Sequence, residues 1–184
     1  MTMVQSSTAQ TRNDLQSQQF TALAREFYKP VYRFITRQIS NQADAADLTQ
    51  QVFVRGYQSF SRFDQERDFA PWIFTIARRC LVDHFRRYRP ESEPVQETIR
   101  DTGPTPREAA LHKDGAEQLW SLTASLKPKF NQVLSLHYRE NFSLRETAQV
   151  MGITETHAKV LVFRARAALK KYLQSARPSG GSIQ

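Results

Sequence analysis

Cys80, Asp83 and His84 lie within five positions of one another and are the side-chain types that a thiol nucleophile and its base require. On a helix, Cys80 and His84 share one face while Asp83 points elsewhere, so the three do not converge. A small core thiol and a hydrogen-bonded histidine explain the pattern better, because a nucleophile needs exposure. His112, His137 and His157 are scattered and have no metal-ligand spacing. A lone cysteine forms no internal disulfide and fits a reducing compartment. The expectation is therefore a protein without catalytic residues, metal or cofactor, and not an enzyme.

A second chemistry, the binding of a polyanion, has more behind it. The chain has 184 residues, with 26 Lys and Arg against 18 Asp and Glu, for a net charge of +8. From Arg145 to Leu173 the cations Arg145, Lys159, Arg164, Arg166, Lys170 and Lys171 face only Glu146 and Glu155. The same stretch has a particular grammar. Ser143-Leu144-Arg145-Glu146 is a capping box that opens a short helix. Gly152 can take the left-handed conformation that ends it. Ile153 packs into the angle, and Thr154 caps a longer helix carrying Ala158, Leu161, Val162, Ala165 and Leu169. This spacing is that of a helix-turn-helix, whose second helix enters the major groove of DNA. An ordinary helical hairpin with a solvated basic face is the plainer alternative.

The elements that position these residues are all helices. Gly is scarce, and β-branched runs and Asn-Gly hairpin signals are missing. Residues 1–17 are rich in Ser, Thr, Gln and Asn and read as a disordered tail. They contain neither a basic n-region nor an apolar h-region, so no signal peptide is expected. No apolar stretch approaches the roughly 20 residues that span a membrane. A soluble, cytoplasmic protein without membrane insertion follows.

Phe20, Leu23, Ala24, Phe27, Val31, Phe34 and Ile35 share a helical face that Pro30 interrupts. A second helix is predicted at 44–60 and a third at 70–87, with Pro71 in its first turn and Ile73, Ala77, Cys80 and His84 facing inward. Arg89 to Pro106 then holds four prolines and a glycine and reads as an extended linker. Its acids are Glu91, Glu93, Glu97 and Asp101. Further helices are predicted at 106–125, 128–138, 143–150 and 154–173, followed by a flexible tail over 176–184.

The first half carries two more signals. Asp44, Asp47 and Gln50 or Gln51 lie near one face of an acidic amphipathic helix that includes Phe53, which suits a partner with a basic surface. For Asp44 alone, compensation of the helix dipole is enough. Arg78, Arg79 and Arg86 lie opposite the apolar stripe of the third helix, near the aromatics Trp72 and Phe85. Cations beside exposed rings suit single-stranded nucleic acid, where bases stack and phosphates pair. Trp72 reads equally well as core.

Three stretches in this order carry a family resemblance: Asp44-Ala45-Ala46-Asp47-Leu48-Thr49-Gln50-Gln51-Val52-Phe53, then Pro71-Trp72-Ile73-Phe74-Thr75-Ile76-Ala77-Arg78, then Ser143 to Leu169. Over about residues 19–175 the chain resembles an extracytoplasmic-function (ECF) sigma factor of the sigma-70 type. The resemblance implies two small helical domains, sigma region two (18–89) and sigma region four with the helix-turn-helix (107–175), joined by the acidic linker at 90–106. It implies that Asp44, Asp47, Gln50, Gln51 and Phe53 dock on the clamp helices of the polymerase β′ subunit, with the flap of β as a further contact. Phe63, Asp64, Trp72, Arg78, Arg79 and Arg86 would then capture and melt the −10 element. Arg145, Thr156, His157, Lys159, Val160, Phe163 and Arg164 would read the −35 element. Core RNA polymerase, promoter DNA and an anti-sigma protein are the implied partners, and the linker acids would occupy a basic RNA path in the polymerase.

The chain departs from the family pattern at two places. Arg79 stands where the family commonly has Asn. Thr156-His157-Ala158-Lys159-Val160-Leu161 stands where it often reads Gly-Thr-Val-Lys-Ser-Arg. Leu161 is expected in the core, and Val160 is expected to meet a thymine methyl. A stand-alone helix-turn-helix regulator remains as an alternative function; it would need a sensor or dimerisation domain, which the first half does not resemble.

Overall fold

The computed structural model describes residues 3–87, 120, 122–123 and 125–176, with side chains from 14 to 174 among them. The chain divides into two compact units, Met1–Tyr88 and Arg89–Gln184. The expected linker at 90–106 with its four acids, most of the expected helix at 106–125, and the tail from 177 onward lie outside the described residues. Every regular element among the described residues is helical.

The first unit is built from α1 (Met3–Thr36), α2 (Gln42–Phe60) and α3 (Phe69–Arg87). Helix α1 begins at Met3, so the stretch over 1–17 expected as a disordered tail is largely helical. That stretch has no Pro or Gly to stop a helix, and extending an established helix needs no new nucleus. Pro30 lies inside α1 without ending it. An interior proline costs on the order of 3 kcal/mol, and the core next to it opposes that cost: Val31, Phe34 and Ile35 are fully buried.

Asn41 caps α2, its side chain accepting hydrogen bonds from the backbone N–H of Ala43 and Asp44. Leu48, Val52 and Phe60 of α2 and Ile73, Phe74, Ala77 and Leu81 of α3 complete the core. Gly56 permits the close approach of all three helices. A Cβ there would lie 3.0 Å from Ile73 Cδ1 and 3.2 Å from Phe20 Cζ.

The second unit contains α4 (Pro128–Leu134), a π-helical turn (Ser135–Arg139), α5 (Leu144–Met151) and α6 (Glu155–Ala176). The helix expected at 128–138 is therefore α-helical only to Leu134. The widened turn ends at Arg139, and Asn141, just beyond it, has a left-handed φ of 55°. There His137 Nδ1 sits 2.7 Å from the Phe142 carbonyl oxygen, and the Phe142 N–H donates to the Leu136 carbonyl. Leu136 and Phe142 are both buried. Val133, Leu134, Val162 and Ala165 form the centre of the unit, with Trp120, Leu126, Phe130, Leu144, Leu161 and Leu169 packed around it.

Candidate nucleic-acid interface

The joint between α5 and α6 fixes the presentation of the α6 surface. Ser143 and Glu146 form the reciprocal capping box read from the sequence: the Ser143 N–H donates to the Glu146 carboxylate at 2.8 Å, and the Glu146 N–H donates to Ser143 Oγ at 3.2 Å. Gly152 ends α5 at φ 66°, ψ 37°. A Cβ at Gly152 would meet nothing within 4 Å, so its backbone conformation, not space, calls for glycine. The Ile153 N–H reaches the Ala148 carbonyl, and Thr154 Oγ1 accepts from the His157 N–H at 3.3 Å. Helix α6 is held against the core through Ala158, Val162 and Ala165.

Six of the seven residues expected to read duplex DNA lie on α6, and all six are exposed: Thr156, His157, Lys159, Val160, Phe163 and Arg164. The seventh, Arg145, is exposed on α5. Phe163 is 72% exposed and Val160 41%. Leu161 packs on the core cluster as expected.

In the first unit, an aromatic cluster shapes the corner between α2 and α3. The Phe63 ring lies 4.7 Å from Trp72 and 5.8 Å from Phe69, and Trp72 lies 5.2 Å from Phe69. Trp72 is half-buried in this cluster, between its two readings as an exposed ring and as core, whereas Phe85 is exposed at 40%. Asp64 folds the loop over 61–68: it accepts from the Glu66 N–H at 3.2 Å and pairs with Arg67 at 3.1 Å. Arg79 and Arg86 are exposed, but Arg78 is half-buried. Phe74 and Leu81 widen the buried arc of α3 beyond the expected stripe, which leaves Arg78 at its margin. Burial, with the like charge of Arg79, pulls the Arg78 guanidinium below its ordinary pKa. Its Nε is buried without a hydrogen-bond partner. A guanidinium is not deprotonated in proteins, so the group is a partly desolvated cation suited to an anion.

The acidic helix divides differently from its sequence reading. Asp47, Gln50 and Phe53 line an open groove of about 720 Å³ with Tyr28, Val54 and Tyr57. The Tyr28 ring stacks 5.7 Å from Phe53. Tyr28, Val54 and Tyr57 are each about half exposed, at 46%, 50% and 49%. Sequence reasoning missed these three; the available signal was their position off the core stripes of α1 and α2. Asp44 sits in the first turn of α2 beside its cap, and Gln51 is exposed outside the groove.

Asp83 pairs with Arg55 at 2.9 Å, and both Asp83 and His84 are half-buried. Cys80 is buried, and that burial pushes its thiol pKa up. Among the described residues no group of three or more His, Cys, Asp or Glu side chains could hold a metal ion, and no helix is long and apolar enough to cross a membrane.

Residues 23–91 match the family described as Sigma-70 region 2, and residues 116–169 match Sigma-70, region 4. The chain is 31% identical over 158 residues to the ECF RNA polymerase sigma factor BldN of Streptomyces coelicolor, a match that covers 84% of this chain and 60% of BldN. It is 27% identical to the ECF RNA polymerase sigma factor SigM of Bacillus subtilis, over 78% of this chain and 88% of SigM. The fold is shared with the sigma factor RpoE, solved with the anti-sigma factor NepR from Bartonella quintana, at a TM-score of 0.67 and 18% identity over 85% of this chain and 97% of that one. It is shared with CnrH, solved with the cytosolic domain of CnrY, at a TM-score of 0.64 and 22% identity over 86% and 90%. With two sigma-70 regions in order spanning more than half of its length, and ECF sigma factors among its relatives, the chain belongs to the ECF group of the sigma-70 family.

Proposed function

We propose that this chain is an alternative sigma factor that binds core RNA polymerase and directs transcription from promoters read at −10 and −35. The observation that carries the reading is a basic outer face on α6, presented by a capped helix-turn-helix within a unit that matches sigma-70 region 4. In this account Lys159, Phe163 and Arg164, with Arg145, Thr156, His157 and Val160, meet the −35 duplex. Phe63, Asp64, Trp72, Arg78, Arg79 and Arg86 handle the −10 element, with the aromatic cluster as the surface on which an unstacked base lies.

The α2 face with Asp44, Asp47, Gln50, Gln51 and Phe53 docks on the clamp helices of β′, and the second unit meets the flap of β. The protein acts by binding, performs no catalysis of its own and works in the cytoplasm. An anti-sigma protein holds it inactive; RpoE, which shares the fold and was solved with the anti-sigma factor NepR, supports that part. A stand-alone regulator would need a dimerisation or sensing domain, and the first unit instead matches sigma-70 region 2.

Pull-down with core polymerase, paired with footprinting in the presence and absence of core, tests the proposal. Binding to core and promoter protection only with core are the expected results. Failure to bind core, or an operator footprint by the chain alone, overturns it.

A further inference from the structure

The outer face of α6 has a composition that phosphate contact does not explain. At about 100° per residue, Thr156, Val160, Phe163 and Ala167 fall within roughly 60° of arc, and all four are exposed. That arc lies opposite the buried Ala158, Val162 and Ala165. Lys159 and Arg166 flank it on one side and Arg164 on the other, all exposed. Apart from the Thr156 hydroxyl, the centre of the face is therefore apolar and its margins are cationic.

Such an arrangement suits a helix lying in a major groove, with its margins against the two phosphate backbones and its centre against base edges. Val160 and Phe163 can neither donate nor accept a hydrogen bond, so they cannot read the polar edges of guanine, cytosine or adenine. The one apolar group that the four base pairs offer in the major groove is the C5-methyl of thymine. The cations on both sides argue for DNA and not a protein partner as occupant of this strip.

We infer that Val160, with Phe163 beside it, makes the second unit select thymine methyl groups in the −35 element. This rests on the sigma-factor reading and adds a base preference to it. Val160 is exposed, so its truncation leaves the core intact.

The test uses holoenzyme reconstituted from the full chain and core polymerase, with promoter duplexes randomised across the −35 region. Enriched duplexes should carry thymine at one or more fixed −35 positions. Replacing that thymine by deoxyuridine removes only the methyl group. It should weaken binding by about fourfold, the worth of one buried methyl-sized group. In Val160→Ala the thymine and deoxyuridine duplexes should bind alike at one of those positions. Equal binding of both duplexes by the unaltered chain, or an unchanged ratio in Val160→Ala, overturns the inference. If Val160→Ala weakens binding to core or to an inhibitor without altering the thymine preference, the strip faces protein and the inference is likewise overturned. The core pull-down separates the two levels: no core binding removes the sigma reading, whereas core binding without thymine enrichment removes only this inference.

Discussion

The two units place the same residue types in opposite settings. In the first, rings are packed together and the neighbouring cation is partly buried: Phe63, Phe69 and Trp72 cluster at the α2–α3 corner, and Arg78 is half-buried. In the second, Phe163 stands 72% exposed, among the exposed cations Lys159, Arg164 and Arg166. A surface on which the half-buried Phe63 and Trp72 rings pack against the buried Phe69 suits a base taken out of its stack. A rigid helix with free side chains suits an intact groove, whose base edges it can reach without rearrangement. The contrast supports a division of labour, with single-strand capture in one unit and duplex reading in the other.

The sharpest way to break this comparison is to truncate one ring in each unit. Phe74→Ala removes a ring that is 1% exposed, and should destabilise the first unit by about 3–5 kcal/mol in chemical denaturation. Phe163→Ala should leave the melting transition unchanged and weaken −35 binding. If Phe163→Ala unfolds the second unit, its ring belongs to the core and the comparison fails.

The glycines sharpen the contrast. Gly56→Ala forces a methyl against Ile73 and Phe20, so overpacking of about 1–3 kcal/mol should exceed the roughly 0.5–1 kcal/mol that alanine contributes to a helix. Gly152→Ala meets no atom but keeps a positive φ, at about 1–2 kcal/mol. Asparagine separates the two causes: it should be tolerated at position 152 and be worse than alanine at 56, as read by thermal unfolding.

A smaller loss, about 1 kcal/mol, is expected for Ser143→Ala, which removes the N-cap of α5. It should act on the second unit alone. The smallest effect is one of pH in the first unit. Burial raises the Cys80 thiol pKa, and the Arg55 guanidinium opposes the shift only in part. A raised folded value means that the folded state holds its proton longer. The associated stability is complete below the usual thiol range, near pH ~8.5, and is lost as pH rises through the folded value. Denaturation of the intact chain should therefore show a downward slope above that pH, shallower in Cys80→Ala.

Much of this organisation was legible in the sequence because it depends on local rules. Helical spacing located α2, α3 and α6 to within a few residues, and Ser143, Glu146 and Gly152 marked the turn by cap chemistry alone. What was not legible depends on tertiary context. The polar residues before Phe20 carry no core pattern, yet they continue α1, with Ser17 Oγ meeting Tyr57 OH at 2.7 Å. The π-helical turn depends on where Leu136 and Phe142 must be buried, which periodicity within a single helix does not encode. Arg78 was expected opposite the core because the stripe was drawn too narrowly; Phe74 and Leu81 pack as well. Tyr28, Val54 and Tyr57 share a groove only because α1 and α2 pack side by side.

The central claim is a bipartite promoter reader that works only with polymerase. The most direct measurement is transcription by core polymerase with the unaltered chain and with Phe163→Ala, on templates that carry or lack the −35 element. The account predicts promoter-specific transcripts with the unaltered chain, and a Phe163→Ala chain that still binds core but responds less to the −35 element. Equal response of both chains to that element, or transcripts that do not depend on the chain at all, would contradict it.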